Sequence, residues 1–227
     1  ATAFSYGQRS VIVPTLHALI HQRFENNLLG LLQQESTTEL KERLQGWYYR
    51  FQTSADALWF LQRLHAVLQR YGSLKGLMHE AVTLYGVETP QTTLAYFVDV
   101  LIGNTTENPT ATLTHGQRYL LPNPREGSAC KRLWLALRWL CRNDAPYVAS
   151  GELTTPIDFG HWSDCFPPER LLLPVDTHVF KQGHALGIAL RRTPDWRCAE
   201  EMTHRLRSLC QHDPTRYDFA FMGLGTL

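Results

Sequence analysis

Apolar residues recur along most of this chain at spacings of three and four, the period of a helix with one buried stripe. In "ADALWFLQRLHAVLQRYG" the residues Leu58, Leu61, Leu64 and Leu68 form one such stripe, and Gly72 supplies a stop. "SLKGLMHEAVTLYG" follows with Ser73 as the expected N-cap, and "TPQTTLAYFVDVLIG" runs in the same manner to Gly103. Period-two alternation is almost absent. The single β-like run is "RLLLPV" at 170–175, and Pro174 makes it a poor central strand.

Toward the C-terminus the pattern predicts a helix from Asp176 to near Gly187 and another within "TPDWRCAEEMTHRLRSLC". A last helix is predicted in "DPTRYDFAFMG", with Asp213 as N-cap, Pro214 at the first helical position and Gly223 past its end. The expected fold is all-α, of roughly ten helices.

Two stretches interrupt the helices. Residues 104–125 carry three prolines among Thr and Asn and read as an irregular connector. Residues 143–170, rich in turn residues and aromatics, read as a long insertion of the kind that is more often functional than idle. The opening "ATAFSYGQRS" reads as starting inside an apolar helix, with the natural N-terminus expected upstream.

The chain has 227 residues, 44% of them hydrophobic, which suffices for one substantial core or two smaller ones. No apolar run approaches the roughly 20 residues needed to span a bilayer, and no secretory leader is recognisable, so a cytoplasmic location is expected. Five cysteines without a C-x-x-C pair suggest buried thiols, with neither a zinc site nor an iron–sulfur cluster. The formal net charge of +1 excludes no partner, because the placement of charge matters more than its sum. Residues 115–142 concentrate six basic side chains, Arg118, Arg125, Lys131, Arg132, Arg138 and Arg142, against Glu126 alone.

That region contains "NPREGSACKRLWLALRWLCR", where one of only four lysines in the chain falls at a helix start. With Ser128 as N-cap, Lys131 occupies the third helical position, next to amides of partial positive charge. Leu133, Ala136, Leu137, Leu140 and Cys141 make the expected core stripe, while Lys131, Trp134, Arg138 and Arg142 share another face. Positive surroundings and desolvation lower an amine's pKa, and a neutral amine can attack an electrophilic carbon to form a Schiff base. The bland reading is a surface charge or a phosphate contact. Asp176 ends the apolar "LLLPVD"; it is an N-cap by position, and equally a carboxylate placed to stabilise positive charge or steer a proton.

"GSACKRLWLALRWLCR", "LLLPVDTHVF" and "YDFAFMGLG", with "SYGQR" and "YGSLKGL" earlier, resemble the helix-hairpin-helix/GPD DNA glycosylase superfamily, and more specifically an uncharacterised bacterial branch of it. The resemblance extends over nearly the whole chain. It implies a two-lobed helical fold with a DNA cleft between lobes: 1–142 ending in a hairpin-like turn and the Lys131 helix, 143–175 as insertion and connector, and 176–227 completing the second lobe. It also implies a bifunctional glycosylase and β-lyase acting on damaged duplex DNA, with 8-oxoguanine as the expected base and no cofactor or metal. Lys131 would be the nucleophile at C1′ and Asp176 its carboxylate.

Gln8, Arg9, Trp134 and His178 are the expected substrate contacts, though a packing or supporting role suits His178 as well. His115, Arg118, Arg125, Ser128 and Arg132 are the expected contacts to the nucleic-acid backbone. Trp139, Phe159, Trp162 and Phe166 are further aromatics that could stack on a base. "LPNPREGSACK" departs from the superfamily's glycine-rich hairpin, and Lys131 and Asp176 stand 45 residues apart. The terminal "GLGTL" is either a helix stop or an anion-binding nest. A monomer without membrane association is expected. A non-catalytic nucleic-acid-binding module, or a reaction on RNA or a nucleoside, are the alternatives.

Overall fold

In a computed structural model the described residues are 2–104, 112–151 and 155–224, without the side chains of Tyr147 and Met222. Parts of the 104–125 connector, the 143–170 insertion and the terminal "GLGTL" lie outside them.

The described residues are mainly helical: α1 (Arg9–His17), α2 (Leu28–Gln34), α3 (Thr37–Arg43), α4 (Ser54–Tyr71), α5 (Leu74–Tyr85), α6 (Pro90–Ile102), α7 (His115–Leu120), α8 (Lys131–Cys141), α9 (Ala145–Ala149), α10 (Thr177–Ala185), α11 (Trp196–Arg207) and α12 (Asp218–Leu224). A short antiparallel hairpin, β1 (Tyr48–Tyr49) with β2 (Gln52–Thr53), precedes α4. The opening residues do not begin in a long helix: Thr2–Phe4 is one 3-10 turn, and α1 starts after Gln8.

Several ends fall where the residue chemistry puts them. Gly72 closes α4 in the left-handed region at φ 71°, where a residue without Cβ is unstrained. The Ser73 hydroxyl accepts the Gly76 N–H at 2.9 Å and so caps α5, and Gly103 follows α6. Other expectations fail. "RLLLPV" is no strand; residues 171–175 are buried without regular secondary structure, and the Leu173 N–H is satisfied by the Thr203 hydroxyl at 2.9 Å. Asp213 and Pro214 do open the last segment, but as the N-cap and first turn of a 3-10 helix, Pro214–Tyr217, that precedes α12, and Gly223 lies inside α12 rather than beyond it.

The chain divides into two compact units, residues 1–77 with 98–121, and 78–97 with 122–227. The Lys131 helix, which the sequence groups with the first 142 residues, thus belongs to the unit containing the C-terminal helices. The first unit has its own core of Phe4, Phe24, Leu32, Leu40, Leu44, Trp47, Tyr49, Ala57, Leu61 and Leu120. A buried carboxylate organises its edge. Asp56 Oδ2 accepts the Thr53 N–H, closing the capping box of α4, while Oδ1 accepts the Thr114 hydroxyl at the start of α7. Gly116 is needed there, because a Cβ would fall 2.5 Å from Asp56 Oδ2.

In the second unit Trp134, Leu137, Phe166, Leu171, Leu173, Val179, Trp196 and Met202 are fully buried or nearly so. Trp134 packs 5.4 Å from Trp196 and 6.3 Å from Phe166, ring centre to ring centre. Aromatics of this size remove about 150–250 Å² each from water, the main force holding α8 against α11. No described helix is long and apolar enough to cross a membrane.

Candidate active site

Cys130 sits at φ 48°, ψ 38°, a left-handed conformation that strains any residue other than glycine and is often held at functional positions. It is the N-cap of α8 and makes no side-chain cap bond, so Lys131 is the first helical residue rather than the third. Ser128 is not the cap; its hydroxyl accepts the Cys130 N–H at 3.1 Å. The preceding turn is tied to the start of α11 through Trp196 N–H to Gly127 O at 2.9 Å. Burial pushes the Cys130 thiol up to about 12, more than Ser128 and Arg132 lower it, so it stays protonated and is a poor nucleophile beside the lysine.

Across 45 residues of chain, Asp176 comes to Lys131: Nζ to Oδ2 is 3.1 Å. Asp176 serves two ends at once. Its Oδ1 accepts the N–H groups of His178 and Val179, both at 2.9 Å, and thereby caps α10, while Oδ2 faces the amine. Burial raises this carboxyl, but the Val179 N–H, the Lys131 charge and hydrogen bond, and the His178 N–H outweigh it, and the group lies below the ordinary carboxylate range. Lys131 and Asp176 are each about one-third exposed, at 35% and 29% of their side-chain surface, so the pair is reachable from water.

Both side chains line a hollow of about 210 Å³ within the second unit. That is below the roughly 300–1,000 Å³ of pockets for drug-sized ligands, and suits one ring system or one sugar. Arg138 and Asp218 add charge to its wall; Leu135, Trp139, Ile157, Pro174, Val179 and Phe219 supply apolar surface. Arg138 donates to Asp218 and lies with its guanidinium carbon 4.5 Å from the Phe219 ring centre. Burial drives the Asp218 carboxyl up to about 6; Arg138 and Lys131 oppose this, and Asp176 and Asp158 reinforce it. The hollow therefore holds two carboxylates whose surroundings push them in opposite directions, an arrangement suited to acid–base work.

The basic concentration at 115–142 does not form one surface. Arg138 and Arg142 are 2% and 6% exposed and are neutralised internally. Arg138 Nε is 3.4 Å from Asp158; Arg142 pairs with Asp213 and Asp158, each at 2.8 Å, and with Asp144. The buried stripe of α8 is rotated from the expected one: Leu137 and Cys141 are inward as expected, Trp134 and Arg138 join them, and Leu133, Ala136 and Leu140 are only half-buried. Hydrophobicity could not reveal this, because the arginines are buried with partners that come from distant segments.

Of the expected substrate contacts, Trp134 is wholly buried core, with no face open to a base. His178 is exposed and does not line the hollow. Gln8 and Arg9 are exposed in the first unit and are also absent from its lining. Trp162 and Phe166 are core, Phe159 is exposed and stacks on His161, and Trp139 alone of the weighed tryptophans lines the hollow. Arg125 and Ser128 are exposed beside α8 and Arg132 is half-buried; His115 and Arg118 are exposed on α7. The sequence reading missed Asp218 and Arg138 as site residues. "YDFAFMG" was legible as a motif, but its aspartate gains meaning only from the arginine that meets it. Among the described residues no group of three or more His, Cys, Asp or Glu side chains is arranged to hold a metal ion.

Comparison with known proteins adds one result. No curated protein and no solved structure matches this chain. A family profile described as a protein of unknown function, DUF2400, matches residues 1–227, and the chain belongs to that family.

Proposed function

We propose that this protein is a lysine-dependent DNA glycosylase with β-lyase activity, taking an oxidised purine such as 8-oxoguanine from damaged duplex DNA. The observation that carries the reading is the 3.1 Å approach of Lys131 Nζ to Asp176 Oδ2 at a small, partly apolar hollow open to water. A nucleophilic amine needs a nearby proton acceptor and a carboxylate that stays charged as positive charge develops at C1′. Asp176, held ionised by two backbone N–H groups, supplies the charged carboxylate, and Asp218 on the same hollow is the group suited to accept the proton.

In the proposed reaction a nucleotide leaves the duplex and its sugar enters beside Lys131. The amine bonds to C1′ and passes a proton to Asp218, while the bond from C1′ to the base breaks and that proton leaves with the base. Asp218 is the group in the hollow best matched to carry that proton near neutrality. Ring opening gives an imine between Nζ and C1′. Loss of a C2′ proton then breaks the C3′–O bond, and water releases the lysine.

One observation favours a second reading, a nucleic-acid-binding module without chemistry. Asp176 is already held by its Oδ1 as a helix cap, so its pairing with Lys131 through Oδ2 is also what a purely structural ion pair would give. Borohydride reduction in the presence of duplexes carrying 8-oxoguanine or an abasic site separates the two. A covalent adduct is expected with the native chain, absent in Lys131→Gln, and formed more slowly in Asp176→Asn, where asparagine keeps the cap. DNA binding without an adduct on either substrate selects the module and sinks the glycosylase.

A further inference from the structure

Three separated segments of the first unit place four rings together. Tyr6 stacks on Phe51 at 5.6 Å with 30° between planes, and lies 4.8 Å from Tyr119. Phe51 is 4.8 Å from Tyr119 and 5.1 Å from His115, edge-on or tilted. The cluster is not sealed. Phe51 and Tyr119 keep 36% and 38% of their surface in water, and His115 is exposed.

Positive charge lies on the same segments as these rings. Arg50, in the turn between β1 and β2, is exposed at a left-handed φ of 57° and holds its guanidinium 5.9 Å from the Tyr6 ring centre. Gly7 lies against it at φ 99°, and a Cβ there would push the Arg50 guanidinium aside, at 2.6 Å from Nη1. Arg9 and Arg118 are exposed on the same three segments. Residues 5–9, 48–53 and 114–121 contain three arginines and one histidine and no Asp or Glu.

We propose that this surface binds single-stranded nucleic acid, with bases stacking on Phe51 and Tyr119 and phosphates held by Arg9, Arg50 and Arg118. Exposed rings on segments that carry arginines and no acidic residue, with the adjacent Asp56 buried away from water, suit a polyanion that carries flat apolar faces. A duplex keeps those faces inside its own stack, so an unpaired strand is the form that can use the rings. None of these residues lines the Lys131 hollow, and the surface works whether or not that lysine is a nucleophile.

The test is fluorescence anisotropy of the whole chain with a labelled oligothymidine, with the intact duplex as comparison, at several salt concentrations. Oligothymidine is expected to bind more tightly than duplex. Phe51→Ala with Tyr119→Ala is expected to weaken it roughly ten- to a hundredfold, the loss of one or two base stacks. Arg50→Ala with Arg118→Ala is expected to flatten the salt dependence, because fewer counterions are released. Lys131→Gln, which the glycosylase reading inactivates, is expected to bind as the native chain does.

Circular dichroism and thermal unfolding check that the ring variant folds; if it does not, the arginine variant carries the test alone. The proposal is overturned if the native chain does not bind oligothymidine, or if folded variants bind it undiminished. It is also overturned if the ring variant changes only self-association, which would make the patch a protein-binding surface.

Discussion

Arg142 Nε reaches both carboxylate oxygens of Asp213, at 2.8 and 3.1 Å, across 71 residues of chain and away from water. Its Nη1 simultaneously meets Asp144 and Asp158. Asp144 Oδ2 in turn accepts the N–H groups of Ile157 and Asp158 at 3.1 and 3.0 Å, so one guanidinium ties the segment after α8 to the turn before α12. Replacing it with methionine leaves three buried carboxylates without their shared cation. Breaking a buried pair from one side costs about 3–5 kcal/mol. Urea unfolding of Arg142→Met is expected to show that loss, and a change under about 1 kcal/mol would contradict this account of the network.

The Asp218 carboxyl gives stability a dependence on pH. An unfolded aspartate titrates near about 3.9, and burial raises this one to about 6 when folded. Between those values the folded chain keeps a proton that the unfolded chain has released, so stability falls as pH rises. The contribution is complete below about pH 4, is lost as pH passes about 6, and is on the order of 2–3 kcal/mol. Urea unfolding free energies between about pH 5 and about pH 7 are expected to decline in the native chain and decline less in Asp218→Asn. Asp158, also raised by its burial, contributes with the same sign. Asp176 is shifted the other way, and its contribution is lost only as pH falls below the usual carboxylate range.

Trp139 and Phe219 are the aromatic members of the hollow's wall. On the proposed chemistry they hold a base, whereas the lysine needs only the sugar. Trp139→Ala is therefore expected to slow release of 8-oxoguanine about tenfold or more, the worth of one base–aromatic contact, while the abasic-site adduct forms nearly as before. Single-turnover excision and borohydride trapping on the same preparation measure the two. Equal loss in both would assign Trp139 to packing.

The sequence alone determined most of the local structure. Helical spacing placed α4, α5, α6, α10 and α11, and the stops and caps Gly72, Ser73, Gly103 and Asp176 bounded the first four, because they act through the backbone within a few residues. It also singled out Lys131 and Asp176 as the residues to watch. Only the tertiary structure decided that the two meet at 3.1 Å, since nothing local specifies the path of the 44 residues between them. It also decided which face of α8 turns inward. Arg138 and Arg142 look like surface charge until Asp158, Asp213 and Asp218 arrive from later in the chain and make their burial affordable. The ring cluster of Tyr6, Phe51, His115 and Tyr119 was hidden for the same reason. Pattern reads neighbours along a helix or strand, whereas desolvated charge and stacked rings depend on partners from distant segments.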